Sequence, residues 1–165
     1  MNNINNPKMY NLAKFEGEVI FGEVYKASQY APDYMFPAPN FLDKDGHVDW
    51  MVQEFDDNVS TKSMPQMVFH VIDVKDVDDR NFNTGNYSLS DKFINYHIKS
   101  PLIPYGYYVA FRLVENNKRS RKFILVNTQE MIQKCTLDNR GSYSLISLND
   151  VKANCDYKLI QEETI

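Results

Sequence analysis

The sequence predicts a mainly β domain, a small barrel or sandwich of antiparallel strands with one short helix and an extended arm rich in proline and aromatic residues. Three observations carry this reading. Tyr (11) and Phe (10) far outnumber Trp (1), and such rings favour strands and interfaces, where a large rigid face packs at low rotamer cost. Asn occurs 17 times, and its short amide bonds nearby backbone in turns and tolerates positive φ. The C-terminal third alternates apolar and polar residues in short runs separated by turn signals, the pattern of closely spaced strands.

The chain has 165 residues, 43% hydrophobic and 24% charged, which fits one domain over residues 1–165. A domain of that length buries roughly 70% of its unfolded surface, so it needs neither disulfides nor a structural metal. No apolar run approaches the roughly 20 residues of a membrane span, and no membrane partner is expected.

Residues 1–12 hold five Asn and read as an N-terminal tail, too polar to bury itself. From Ala13 to Tyr25, Phe15, Val19 and Phe21 fall at period two with Gly17 between them and Glu16 and Glu18 opposite. That spacing predicts a half-buried strand, with Gly17 and Gly22 as bends; a helix over Glu18–Ala27 is the alternative. Residues 30–41 carry Pro32, Pro37 and Pro39 among Tyr30, Tyr34, Phe36 and Phe41. Proline excludes a helix or a central strand, so this stretch is an extended arm, folded on its own domain or docked on a partner.

Asp43–Gly46 signals a turn before a strand through Val48, Trp50 and Val52. Residues 66–77 are apolar on both faces, as a central strand is, and polar loops are expected over Asp56–Pro65 and Asp76–Tyr87. Ser88–Lys99 is the helix candidate, capped by Ser88 or Ser90 and ended by Pro101 and Pro104. Tyr107–Val114 and Lys122–Val126 flank Asn116-Asn117-Lys118 as a β-hairpin. A second hairpin is expected around Asp138–Gly141, between Ile132–Leu137 and Tyr143–Leu148, and Val151–Ile160 supplies a last strand. Residues 106–160 are thus the best-defined barrel portion.

Chemistry leaves few traces. Asp43, Asp45 and Gly46 resemble part of a calcium loop, but alignment on Gly46 puts Phe41 and Val52 where oxygen ligands belong. His47, His70 and His97 have no His or Cys neighbour at metal-ligand spacing. Asp73, Asp76, Asp78 and Asp79 cluster beyond a strand end and read as a solvated loop, with Mg²⁺ binding as the functional alternative. Cys135 and Cys155 lie 20 residues apart outside any CxxC pair and read as free thiols of a reducing compartment. No phosphate loop or nucleophile elbow appears, so no catalytic, cofactor or metal site is expected, and the protein is read as non-enzymatic.

Charge is uneven. Residues 1–95 hold 8 basic against 15 acidic residues, and residues 96–165 hold 10 against 7. Arg112, Lys118, Arg119, Arg121 and Lys122 form the basic concentration, with Tyr105, Tyr107 and Tyr108 on the same segment. A lopsided molecule suits directional docking, with the acidic half of one copy against the basic tip of the next. Cations beside aromatics also suit single-stranded nucleic acid.

At this hairpin the order Gly106-Tyr107-Tyr108-Val109-Ala110-Phe111, a basic turn, Phe123-Ile124-Leu125-Val126, then Ile132 to Cys135, Leu137 and Asn139-Arg140-Gly141 resembles the small β-barrel of bacteriophage neck and head-tail connector proteins. The likeness spans residues 106–150. Where that pattern often has a Trp, this chain has Phe123. The resemblance implies a ring-forming virion component, present in the host cytoplasm during assembly, whose partners are copies of itself and other virion proteins. The expected interface residues are Tyr30, Tyr34, Phe36, Phe41, Arg112, Lys118, Arg119, Arg121 and Lys122. The alternatives are a single-stranded nucleic-acid-binding barrel of the OB type and an inhibitor that binds a host enzyme through its acidic half.

Overall fold

The computed structural model describes residues 7–39, 48–61, 64–99 and 106–163. The order is α1 (Pro7–Lys26), β1 (Tyr34–Pro37), β2 (Trp50–Thr61), β3 (Met64–Lys75), a 3-10 turn (Asp79–Asn81), β4 (Asn86–Ser90), α2 (Asp91–Lys99), β5 (Gly106–Glu115), β6 (Lys118–Asn127), α3 (Thr128–Lys134), β7 (Asp138–Asn139), β8 (Tyr143–Ser147), α4 (Leu148–Asn154) and β9 (Tyr157–Ile160). Six strands form one sheet in the order β1-β2-β3-β5-β6-β9, and three form another in the order β4-β8-β7. Every neighbouring pair is antiparallel except β3 and β5.

The large sheet is covered on both faces. On one, Phe21, Val24 and Tyr25 of α1 pack on Val52, Ile72, Val74, Ala110 and Phe123. On the other, Val71, Val109, Phe111 and Val126 meet Tyr87, Leu89 and Ile146 of the small sheet, with Phe93, Met131 and Val151 from α2, α3 and α4. The alternation along β5 is what allows this, since Tyr107, Val109 and Phe111 enter the second core while Ala110 enters the first. The fold is mainly β as expected, and of the two expected architectures the sandwich fits; the sheets do not close into a barrel.

Several elements differ from expectation. The strand expected over Ala13–Tyr25 is the C-terminal part of α1, which begins at Pro7 inside the supposed tail. Phe21, Val24 and Tyr25 are spaced i, i+3, i+4 and form the buried stripe, whereas Phe15 and Val19, which suggested period two, are exposed. Gly17 and Gly22 are helical positions. A Cβ on Gly22 would lie 2.6 Å from Trp50 Cζ2, so its missing side chain lets the helix approach the ring; Trp50 Nε1 donates to Glu18 O at 3.0 Å.

In place of the loop at Asp56–Pro65, β2 continues to Thr61 and β3 starts at Met64, with a register shift between Asp56 and Thr61. The single helix expected is one of four among the described residues. Ser90 caps α2 by accepting from Phe93 N at 3.1 Å, and Ser88 belongs to β4. Ile132–Leu137 is not a hairpin arm; its first half lies in α3, and two residues of β7 pair with β8. Asn127, accepting from Glu130 N at 3.0 Å, starts that helix. Val151 to Asn154 is helical, and only Tyr157–Ile160 forms the last strand.

The β5–β6 hairpin stands as expected. Asn116 (φ 53°) and Asn117 (φ 59°) provide the two left-handed positions that a tight hairpin turn matching strand twist requires. Residues 34–37 of the expected arm form an edge strand, with Tyr34 opposite Gln53 and Pro37 opposite Trp50. An edge tolerates a proline that has no N–H to donate. Phe41, His47, Tyr105, residues 1–6 and the turn at Asp43–Gly46 lie outside the described residues.

Candidate functional site

The basic hairpin and the acidic run meet inside one chain. Arg112 on β5 is 3% exposed and donates from Nη1 to Asp76 Oδ2 at 3.1 Å and from Nε to Ser120 O at 2.8 Å. Its Nη2 is 3.7 Å from Glu16 Oε1 on α1. Arg119 reaches Asp76 Oδ1 at 3.0 Å, Asp79 Oδ1 at 2.8 Å and Val77 O at 2.7 Å. Arg121 joins Glu162 at 2.6 Å and Glu23 at 3.2 Å, and Lys122 joins Glu115 at 3.1 Å. Lys118 is exposed at the tip and makes no ion pair among the described residues.

The aspartates taken as a loop cluster are divided rather than gathered. Asp76 lies between Arg112 and Arg119, while Asp78 pairs with Arg80, whose hydrogen bonds hold its carboxyl below the ordinary range. Asp73 is buried on β3 with Lys75 Nζ 2.9 Å away. Beside it, Asp49 is buried and accepts from Val74 N at 2.7 Å. Burial, with the charge and hydrogen bond of Asp73 and the nearby Glu18, holds the Asp49 carboxyl far above the ordinary carboxylate range. Among the described residues no group of three His, Cys, Asp or Glu side chains is arranged to hold a metal ion.

Tyr107 and Tyr108 point to opposite faces of the sheet. Tyr107 is buried in the second core. Tyr108 lines a cleft of about 390 Å³ on the α1 face, together with Tyr25, Glu54, His70, Ile72, Leu125 and Lys158. The parallel pairing of β3 with β5 sets His70 beside Gly106. A Cβ there would come within 2.5 Å of His70 Nδ1 and 2.7 Å of Tyr108 Cε2, so only glycine leaves room for both rings. The rings meet edge-on at 5.3 Å.

His70 Nε2 lies 3.6 Å from Glu54 Oε2, and bonding to this imidazole, aided by its charge and that of Lys158, holds the Glu54 carboxyl below its ordinary range against the effect of burial. Tyr25 is 5% exposed, and burial, with the nearby Glu54 charge, pushes its hydroxyl up. At the rim, Lys158 Nζ lies 5.0 Å from the Tyr30 ring centroid.

Comparison with protein-family models, curated proteins and solved structures finds no match to this chain.

Of the expected interface residues, Tyr34 (55% exposed) and Phe36 (37%) stand in the open on the edge strand. Tyr30 packs partly against the first core. Tyr157 and Leu159 are exposed on β9, the opposite edge of the sheet. The cleft was missed because its residues come from distant parts of the chain, and no sequence motif joins them. No helix among the described residues is long and apolar enough to cross a membrane.

Proposed function

We propose that the protein is a non-enzymatic assembly subunit of a virion, forming an oligomeric ring with copies of itself as part of a phage neck, head-tail connector or tail. The observation that carries the assembly reading is the exposure of Tyr34 and Phe36 side by side on one face of an edge strand; rigid aromatics of this kind anchor interfaces. The virion setting rests on the likeness of residues 106–150. Arg112, Arg119, Arg121 and Lys122 are engaged within the chain, so the contact is aromatic, with Lys118 as the cation left to face a neighbour. The same engagement takes from the nucleic-acid reading the charges it requires.

Light scattering on the purified protein is expected to return a multiple of 19.3 kDa, and the double variant Tyr34→Ser/Phe36→Ser is expected to run as a folded monomer. A wild-type protein that is monomeric at high concentration overturns the proposal.

A second reading, binding of a small organic cation in the cleft, is favoured by the Glu54 carboxylate lining it together with the rings of Tyr25, His70 and Tyr108. Aromatic faces around a carboxylate suit an ammonium or guanidinium group. Titration with agmatine is expected to shift the NMR signals of Tyr25, His70 and Tyr108, and Glu54→Gln is expected to abolish the shifts. Unchanged spectra in the wild-type protein exclude this reading.

A further inference from the structure

Cys135 and Cys155 are free thiols whose Sγ atoms lie 3.6 Å apart. Each is the C-cap of a two-turn helix, α3 and α4, with extended backbone (φ −104°, ψ 154° and φ −120°, ψ 151°). Their own N–H groups close the last helical turns, to Met131 O at 3.0 Å and Val151 O at 2.9 Å. Two further bonds hold the strands of chain together on either side: Thr136 N donates to Asp150 Oδ2 at 2.8 Å, and Asp156 N to Glu130 Oε1 at 3.0 Å. The backbone on both sides is thus tied before the sulfurs meet. An S–S bond of about 2.05 Å needs each sulfur to move by less than about 1 Å.

We propose that Cys135 and Cys155 form an oxidative modification site, converted to an internal disulfide by a small-molecule disulfide such as glutathione disulfide. Cys135, the more exposed of the two, loses its proton and attacks one sulfur of the oxidant, expelling a glutathione thiolate and leaving a mixed disulfide. Cys155 then loses its proton and attacks Cys135 Sγ, expelling the second thiolate. Two protein thiols are oxidised, one glutathione disulfide is reduced to two glutathiones, and the two protons pass to the leaving thiolates. Burial pushes both thiols up, Cys135 to about 12, so the exchange is slow near neutrality and accelerates with pH. The bridge joins α3 to α4 and encloses the chain that forms β7 and β8, restricting the unfolded state.

The test is incubation of the folded protein with glutathione disulfide at about pH 8.5, where more thiolate is present, followed by thiol alkylation, intact mass and peptide mapping. The expected product has lost two hydrogens, resists alkylation and yields a peptide linking 135 to 155. Its melting temperature rises by on the order of 5–10 °C. Cys155→Ser is expected to stop at the mixed disulfide on Cys135. A wild-type protein that ends as a glutathione adduct, as a disulfide-linked dimer or with both thiols unreacted overturns the proposal, as does a bridged product whose melting temperature does not rise.

Discussion

Arg112→Met is expected to lower the unfolding free energy by about 3 kcal/mol, the low end of the range for breaking a buried ion pair from one side. The guanidinium is 3% exposed and links three elements: Asp76 beyond β3, Ser120 O on β6 and Glu16 on α1. Methionine fills the space without replacing a donor. Asp76 retains Arg119, which keeps the loss from the top of the range, but the Ser120 carbonyl loses its side-chain donor. Arg112→Lys is expected to recover only part of the loss, because an ammonium on a flexible stem lacks the planar fork that bonds both partners. Urea unfolding with an unchanged slope measures the effect. A loss below about 1 kcal/mol would show that solvent already screens the network.

Asp49→Asn is expected to stabilise the protein in neutral and mildly alkaline solution and to flatten the dependence of its stability on pH. In the folded chain the Asp49 carboxyl keeps its proton well above the ordinary carboxylate range, because burial, Asp73 and Glu18 all oppose its ionisation. In the unfolded chain it ionises near the ordinary Asp value of about 3.9. Above about pH 4 the unfolded state therefore binds fewer protons at this position, and stability falls as pH rises, by up to about 1.4 kcal/mol per unit. Asparagine carries no such penalty; its amide oxygen still accepts from Val74 N and its NH₂ can donate to Asp73. Unfolding free energies at several pH values between about 5 and 8 compare the slopes. Parallel curves for the two proteins would place the Asp49 proton elsewhere.

How much was legible depended on whether the signal was local. The β5–β6 hairpin was readable because Asn116 and Asn117 state the turn between two strand-like runs, although the register shifts once between Arg112 and Val114. The helix cap at Ser90 was readable for the same reason. The first helix was not, because Phe15, Gly17, Val19 and Phe21 mimic a strand, and only the sheet decides that Phe21, Val24 and Tyr25 are the buried set. The polar ends of β2 and β3 looked like a loop, since strand pairing continues past the apolar residues that advertise it.

At the candidate site, composition revealed that charge is lopsided but not that Asp76 would be the partner of Arg112 and Arg119. The cleft depends on strand order: His70 meets Gly106 and Tyr108 only once β3 lies parallel to β5. The two cysteines carried no motif, and their approach is a product of how α3 and α4 end.

The parallel contact between β3 and β5 also divides the molecule in time. Each flanking hairpin, β2 with β3 and β5 with β6, joins neighbours along the chain and pays little to zip. Bringing His70 to Gly106 and Lys75 to Phe111 instead spans the whole excursion through β4 and α2, whose closure costs entropy before any contact rewards it. The seam between the halves is therefore expected to close after either hairpin that it joins. A chain emerging from the ribosome would hold a finished first ribbon with one raw margin, waiting for the second to be synthesised.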